Sequence, residues 1–172
     1  ARAVDTDAKA LIATLKRAHE FQGTGFVEVF QNCPVFNDGA FEHFTAREIA
    51  AETQLHLEHG KPMRFGKDHT KGLRLQPGKL ELEVVTIGEY GVTEADILVH
   101  DEHNHTMAFL LATLEPPNFP VALGVLYSHP GAGASFERGM HEQNKQARAK
   151  GIGDLNALMR KGHTWVVEPD PT

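Results

Sequence analysis

Three groups of side chains in this sequence are able to do chemistry, and the first is a lone thiol. Cys33 stands in the segment Gln31-Asn32-Cys33-Pro34-Val35-Phe36-Asn37-Asp38-Gly39, which has loop composition. It follows the run Gly25-Phe26-Val27-Glu28-Val29-Phe30, whose β-branched and aromatic residues read as a strand. In open α/β sheets, ligands bind just beyond the carboxyl ends of strands. Cys33 lies three residues past that strand and Asn37 four further on, so both are positioned for a cofactor or cluster contact. A single thiolate cannot hold a metal cluster alone, so the remaining ligands must come from elsewhere. The ordinary alternative is a small buried hydrophobe with an inert thiol.

The second group is His100-Asp101-Glu102-His103-Asn104-His105. Imidazoles and carboxylates at this spacing could hold a divalent metal. The segment joins two predicted strands, however, and a solvated turn is the preferred reading. The third group is Arg64-Phe65-Gly66-Lys67-Asp68-His69-Thr70-Lys71-Gly72-Leu73-Arg74, five basic residues interleaved with two glycines. It suits an anionic substrate, a phosphate or an acidic protein, or a plain exposed loop. The chain has no G-x-x-x-x-G-K-[ST] phosphate loop, no G-x-G-x-x-G opening a helix after a strand and no G-x-S-x-G elbow.

The elements that must position these groups alternate in type. Residues 6–19 show helical periodicity, with Ala8, Leu11, Ile12, Leu15 and Ala18 on one face and Asp5 or Thr6 as cap. Residues 45–59 read as a helix, with Thr45 and Glu48 as a capping box and Gly60 and Pro62 closing it. Residues 61–79 carry little periodicity. Strands are expected at 80–87, 97–100, 109–114 and 121–127, and helices at 135–149 and 155–161. Gly131-Ala132-Gly133-Ala134-Ser135 reads as a flexible helix entry. Near-continuous apolar strands point to a sheet covered on both faces, and an α/β layer architecture is the expected class.

Composition bounds the rest. The 172 residues suffice for a domain with a real core, and 41% apolar with 23% charged residues is a globular balance. A net charge of -6 argues against a dedicated nucleic-acid binder. No apolar run reaches membrane-span length, and no charged start leads into a short apolar stretch, so a cytoplasmic setting is expected. One cysteine gives no disulfide framework. The opening Ala1-Arg2-Ala3-Val4-Asp5, without Met, reads as a cut inside a larger unit.

Several ordered segments carry a resemblance. Residues 25–37, from Gly25-Phe26-Val27-Glu28 to Val35-Phe36-Asn37, are similar to the "GFSFVEVLSPCVTFN" segment of β subunits of 2-oxoacid:ferredoxin oxidoreductases. Phe65-Gly66-Lys67-Asp68-His69-Thr70-Lys71-Gly72-Leu73 resembles the "FGKENTRGL" segment of the 2-oxoglutarate branch. Ile97 through Glu102, Ala108 through Ala112 and Phe119 through Val125 follow in the family's order. Asp154-Leu155 and Gly162-His163-Thr164-Trp165 resemble its "GDL…SGDTW" ending. The resemblance runs from about residue 2 to residue 167.

That resemblance implies a specific enzyme. Such proteins oxidatively decarboxylate a 2-oxoacid on thiamine diphosphate with Mg²⁺, form an acyl-CoA and pass electrons through a [4Fe–4S] cluster to ferredoxin. It implies that Cys33 is one cluster ligand, while Asn37 is the expected cofactor contact by its place past the strand. It further implies that the other cysteines and the GDG…N motif lie in the N-terminal half of the β subunit, and the pyrimidine side on an α subunit. Residues 1–130 would be the second half of the three-layer diphosphate-binding domain, and 131–172 a helical C-terminal extension. Partners would be that N-terminal half, the α subunit, ferredoxin, the 2-oxoacid and CoA, with Lys61, Lys67, Lys71 and Arg74 as contributors to ferredoxin docking. The sequence departs from the pattern where Gln31-Asn32 replaces Ser-Pro before the cysteine and Pro34-Val35 replaces Val-Thr after it, which bears on the cluster potential. It departs again where Phe21-Gln22-Gly23 replaces His-Lys-Gly. Alternatives are the same chemistry on pyruvate or a branched 2-oxoacid, and a non-catalytic fragment that docks subunits.

Overall fold

The computed structural model describes residues 1–131 and 135–168. The expected helix entry at 131–135 lies largely outside them. Two compact units divide the chain, Ala1–Ala132 and Gly133–Thr172.

The first unit opens with β1 (Arg2–Val4), which leads into α1 (Ala8–Glu20). Asp7 caps that helix by accepting from the Ala10 N–H at 3.0 Å. β2 (Glu28–Phe30) returns parallel to β1, with Val4 opposite Phe30. A helix over 45–59 is not formed. The chain makes the short turns α2 (Glu42–Thr45) and α3 (Ala50–Thr53) and then the strand β3 (Gln54–His56). Two local events stop the helix. Ala46 is extended, and the Thr45 hydroxyl donates back to the Phe41 carbonyl instead of capping forward. A distant partner then decides for strand: β3 pairs parallel with β7 (Val121–Leu123), which buries Leu55 completely.

The stretch 61–79, without periodicity in the sequence, contains two strands. β4 (Arg64–Phe65), β5 (Lys71–Leu75) and β6 (Leu82–Thr86) make an antiparallel sheet in that order. Gly72 in β5 has a packing reason, because a Cβ there would meet Ile97 Cδ1 at 2.6 Å. Residues 97–100 form no ladder strand. They run beside β4 and β5 on isolated bonds, such as Met63 N–H to the Leu98 carbonyl at 2.8 Å.

The strand expected at 109–114 is a helix, α4 (His105–Ala112). Its apolar run looks alike at both periods, so periodicity could not separate them. The deciding residue is Asn104, whose side-chain oxygen accepts from the Met107 N–H at 3.0 Å. Leu111 packs into the main core with Leu55, Leu73 and Ala122, all fully buried. A second core joins Val4, Phe44, Val121 and Leu123.

The mixed α/β class holds. One sheet covered on both faces does not: the described strands form three small sheets, two of them parallel pairs. The second unit carries α5 (Phe136–Ala149) and α6 (Leu155–Met159), capped by Ser135 and Asp154. No described helix is long and apolar enough to cross a membrane.

Candidate functional site

The Cys33 loop is built on the ends of β1 and β2. The Asp5 N–H donates to the Phe30 carbonyl at 3.1 Å, and the Asp5 carboxylate accepts from the Asn32 N–H at 3.3 Å. Asn32 then clamps the loop base. Its Nδ2 donates to Asp38 Oδ1 at 3.0 Å and its Oδ1 accepts from the Gly39 N–H at 2.9 Å. Within the clamp, Cys33 and Asn37 bridge, with the Asn37 N–H donating to the Cys33 carbonyl at 2.9 Å. Below it, Phe30 packs edge-on against Phe41 and Phe44, which are tilted against each other, with ring centroids 5.2–5.8 Å apart.

This geometry acts on the sulfur. The backbone N–H groups of Phe36, Val35 and Asn37 face the half-buried Cys33 thiol and lower its pKa below the ordinary value. Pro34 has no N–H, so the donors come from the residues after it. Val35 and Phe36 hold their side chains in solvent at the loop tip. An accessible thiol with a lowered pKa is suited to act as a thiolate metal ligand. Asn37 is exposed, and the hydrogen bonds described for it run through its backbone.

The segment 100–105 is a turn in which Asp101, His103, Asn104 and His105 are exposed, but two of its side chains are not solvated. His100 is 1% exposed, and Glu102 is buried too. Burial pushes the His100 imidazole below its usual pKa, and its Nε2–H donates to the Val125 carbonyl at 2.8 Å. Its Nδ1 is buried without a partner. Arg17 forks onto both Glu102 oxygens at 2.8 Å and holds that carboxyl below the usual range. His59, Glu102 and His103 come together, with one ligand atom from each inside a common 4.8 Å span. His59 was hidden inside the expected helix 45–59, and no local signal ties it to residues more than forty positions later.

The basic segment is partly neutralised. Lys71 pairs with Glu52 at 2.7 Å, Arg74 with Glu83 at 2.6 Å, and Arg64 with Glu94. Glu52 also accepts from the Lys67 N–H at 2.8 Å. It thereby closes a turn in which Gly66, Asp68 and His69 all have positive φ, an unusual conformation for the last two. A cleft of about 430 Å³ beside this turn is lined by His43, Glu52, Phe65, Lys71, Pro117 and Phe119.

Comparison with known proteins gives one informative match. The chain is similar to the 2-oxoglutarate oxidoreductase subunit KorB of Mycobacterium tuberculosis. The two are 29% identical over 172 residues, 97% of this chain and 44% of KorB. The match bears out the resemblance read from the ordered segments. The chain spans less than half of KorB's length. No protein-family model matches the sequence, and no solved structure does.

Proposed function

We propose that this chain is the C-terminal part of the β subunit of a 2-oxoglutarate:ferredoxin oxidoreductase, with Cys33 as one ligand of its [4Fe–4S] cluster. The supporting observation is the Cys33 loop: a thiol at the end of a parallel strand, faced by three backbone N–H groups, in a chain similar to KorB.

When bound, thiamine diphosphate with Mg²⁺ supplies 2-oxoacid decarboxylation ahead of acyl transfer to CoA, and the cluster supplies one-electron transfer to ferredoxin. The work of this chain is to hold and tune. Cys33 binds iron as thiolate, and the N–H groups of Phe36, Val35 and Asn37 offset the negative charge on its sulfur. The Asn32 clamp fixes the distance between that sulfur and the end of β2. The exposed Asn37 side chain is the proposed cofactor contact. The exposed Val35 and Phe36 mark where the N-terminal half of the subunit covers the loop. That half carries the remaining cluster cysteines and the GDG…N motif, and the α subunit carries the pyrimidine side. A cytoplasmic setting keeps the thiol reduced. Lys61 and Lys67 are the better candidates for ferredoxin docking, because Lys71 and Arg74 are ion-paired within the chain.

The test uses the complete assembly. CoA-dependent reduction of a viologen dye is expected with 2-oxoglutarate and not with pyruvate or a branched 2-oxoacid. Equal turnover of all three would overturn the substrate assignment, and no turnover of any would overturn the enzyme assignment.

A further inference from the structure

We infer that His59, Glu102 and His103 form a site for one divalent transition-metal ion of the zinc class, separate from Cys33. The three donors come from two elements: His59 follows β3, whereas Glu102 and His103 lead into α4. Their ligand atoms lie within 4.8 Å of one another. Zinc–nitrogen and zinc–oxygen bonds of about 2.0–2.2 Å place tetrahedral ligands roughly 3.4 Å apart, so closure needs inward movement of only about 1 Å.

The tautomers suit the task. His103 Nδ1 lies 2.7 Å from the Ser128 carbonyl, so it carries the proton, and Nε2 keeps a free lone pair. A carbonyl behind a ligating imidazole is the usual orienting partner in metal sites. His59 Nδ1 accepts from the Glu102 N–H at 3.2 Å, so its one lone pair points at the 101–103 segment, and a metal ion takes it by displacing that long hydrogen bond. The two rings are already 5.1 Å apart between centroids.

Glu102 supplies the negative charge. Its side chain is 8% exposed, and Arg17 contacts both of its oxygens at 2.8 Å. Each carboxylate oxygen has a second lone pair, so a metal can take one while Arg17 stays on the carboxylate as orienting partner. Asp101 adds a second carboxylate, 3.8 Å from His59 Nδ1. Two imidazoles and one carboxylate with an open position suit Zn²⁺ rather than Mg²⁺ or Ca²⁺, which prefer all-oxygen shells. Such an ion would clip the end of β3 to the start of α4.

The experiment is equilibrium dialysis of Zn²⁺ with elemental analysis. It uses the full assembly with Cys33 intact, and zinc is counted as the difference between the parent and the His59→Ala/His103→Ala double variant, so that sites elsewhere in the assembly cancel. One equivalent is expected per chain. His59→Ala and His103→Ala should each weaken binding at least tenfold, and Glu102→Gln should weaken it as well. His59 and His103 lie on the surface, and circular dichroism confirms that each variant is folded. Absence of bound zinc in the parent would overturn the inference, as would equal zinc in the parent and the folded His59→Ala/His103→Ala double variant.

Discussion

At the scale of residues, Asn32 decides how firmly the Cys33 sulfur is presented. Its side-chain amide holds the loop base, donating to Asp38 and accepting from Gly39. Removing one such bond costs about 1 kcal/mol, or roughly a fivefold change in an opening equilibrium. Asn32→Ala should therefore speed exchange of the Gly39 amide by about fivefold while distant amides in β5 stay unchanged, as hydrogen exchange would show. An unchanged Gly39 rate would contradict the clamp. Cys33 and its place past a strand were legible from the sequence, since strand composition and loop chemistry are local signals. The N–H groups facing the sulfur were not, because they depend on how the loop closes. The reading of 100–105 as a solvated turn failed at His100 and Glu102 for a related reason. Polar residues announce exposure unless a distant charge meets them, and Arg17 on α1 meets Glu102. Arg17→Ala should leave that buried carboxylate uncompensated and lower stability by about 1–3 kcal/mol in urea unfolding.

At the scale of elements, local propensity was overruled wherever a distant partner existed. Residues 45–59 have helical spacing, yet Gln54 and Leu55 are worth more beside Val121 and Ala122, in a strand pair that closes the core. Leu55→Ala should cost about 2–5 kcal/mol, the range for deleting a fully buried aliphatic side chain. Helix α4 was misread because its signal was one cap residue, Asn104, ahead of an apolar run. β5 was missed because glycine and lysine mask it, although Gly72 is there to admit Ile97. Gly72→Ala should destabilise by about 1–2 kcal/mol through overpacking, and Ile97→Val should recover part of that loss. Additive losses in that double-mutant cycle would contradict the contact.

The turn that ends this region also gives a pH dependence. The Thr93 backbone N–H and hydroxyl both donate to Asp96 and hold its carboxyl below the ordinary 3.8. The unfolded chain therefore takes up this proton first as pH falls. The contribution to stability is complete near neutral pH and is lost as pH drops below the ordinary value through the lower folded one. The gap in urea midpoint between the parent protein and Asp96→Asn should be open at neutral pH and close as pH falls through the lowered folded value.

At the scale of the whole molecule, the chain spans 44% of KorB and contributes a single thiol. The α/β class was legible from alternating element types. The division into small sheets was not, because register and pairing are long-range properties. One cysteine cannot close a four-iron cluster, so the account requires the metal to bridge this chain to other segments of its assembly. The direct test is Cys33→Ala in the complete assembly, with iron content and 2-oxoglutarate-dependent ferredoxin reduction measured together. Iron well below the parent stoichiometry and poor ferredoxin reduction are expected in a variant that still assembles. Full iron content with normal ferredoxin reduction would contradict it.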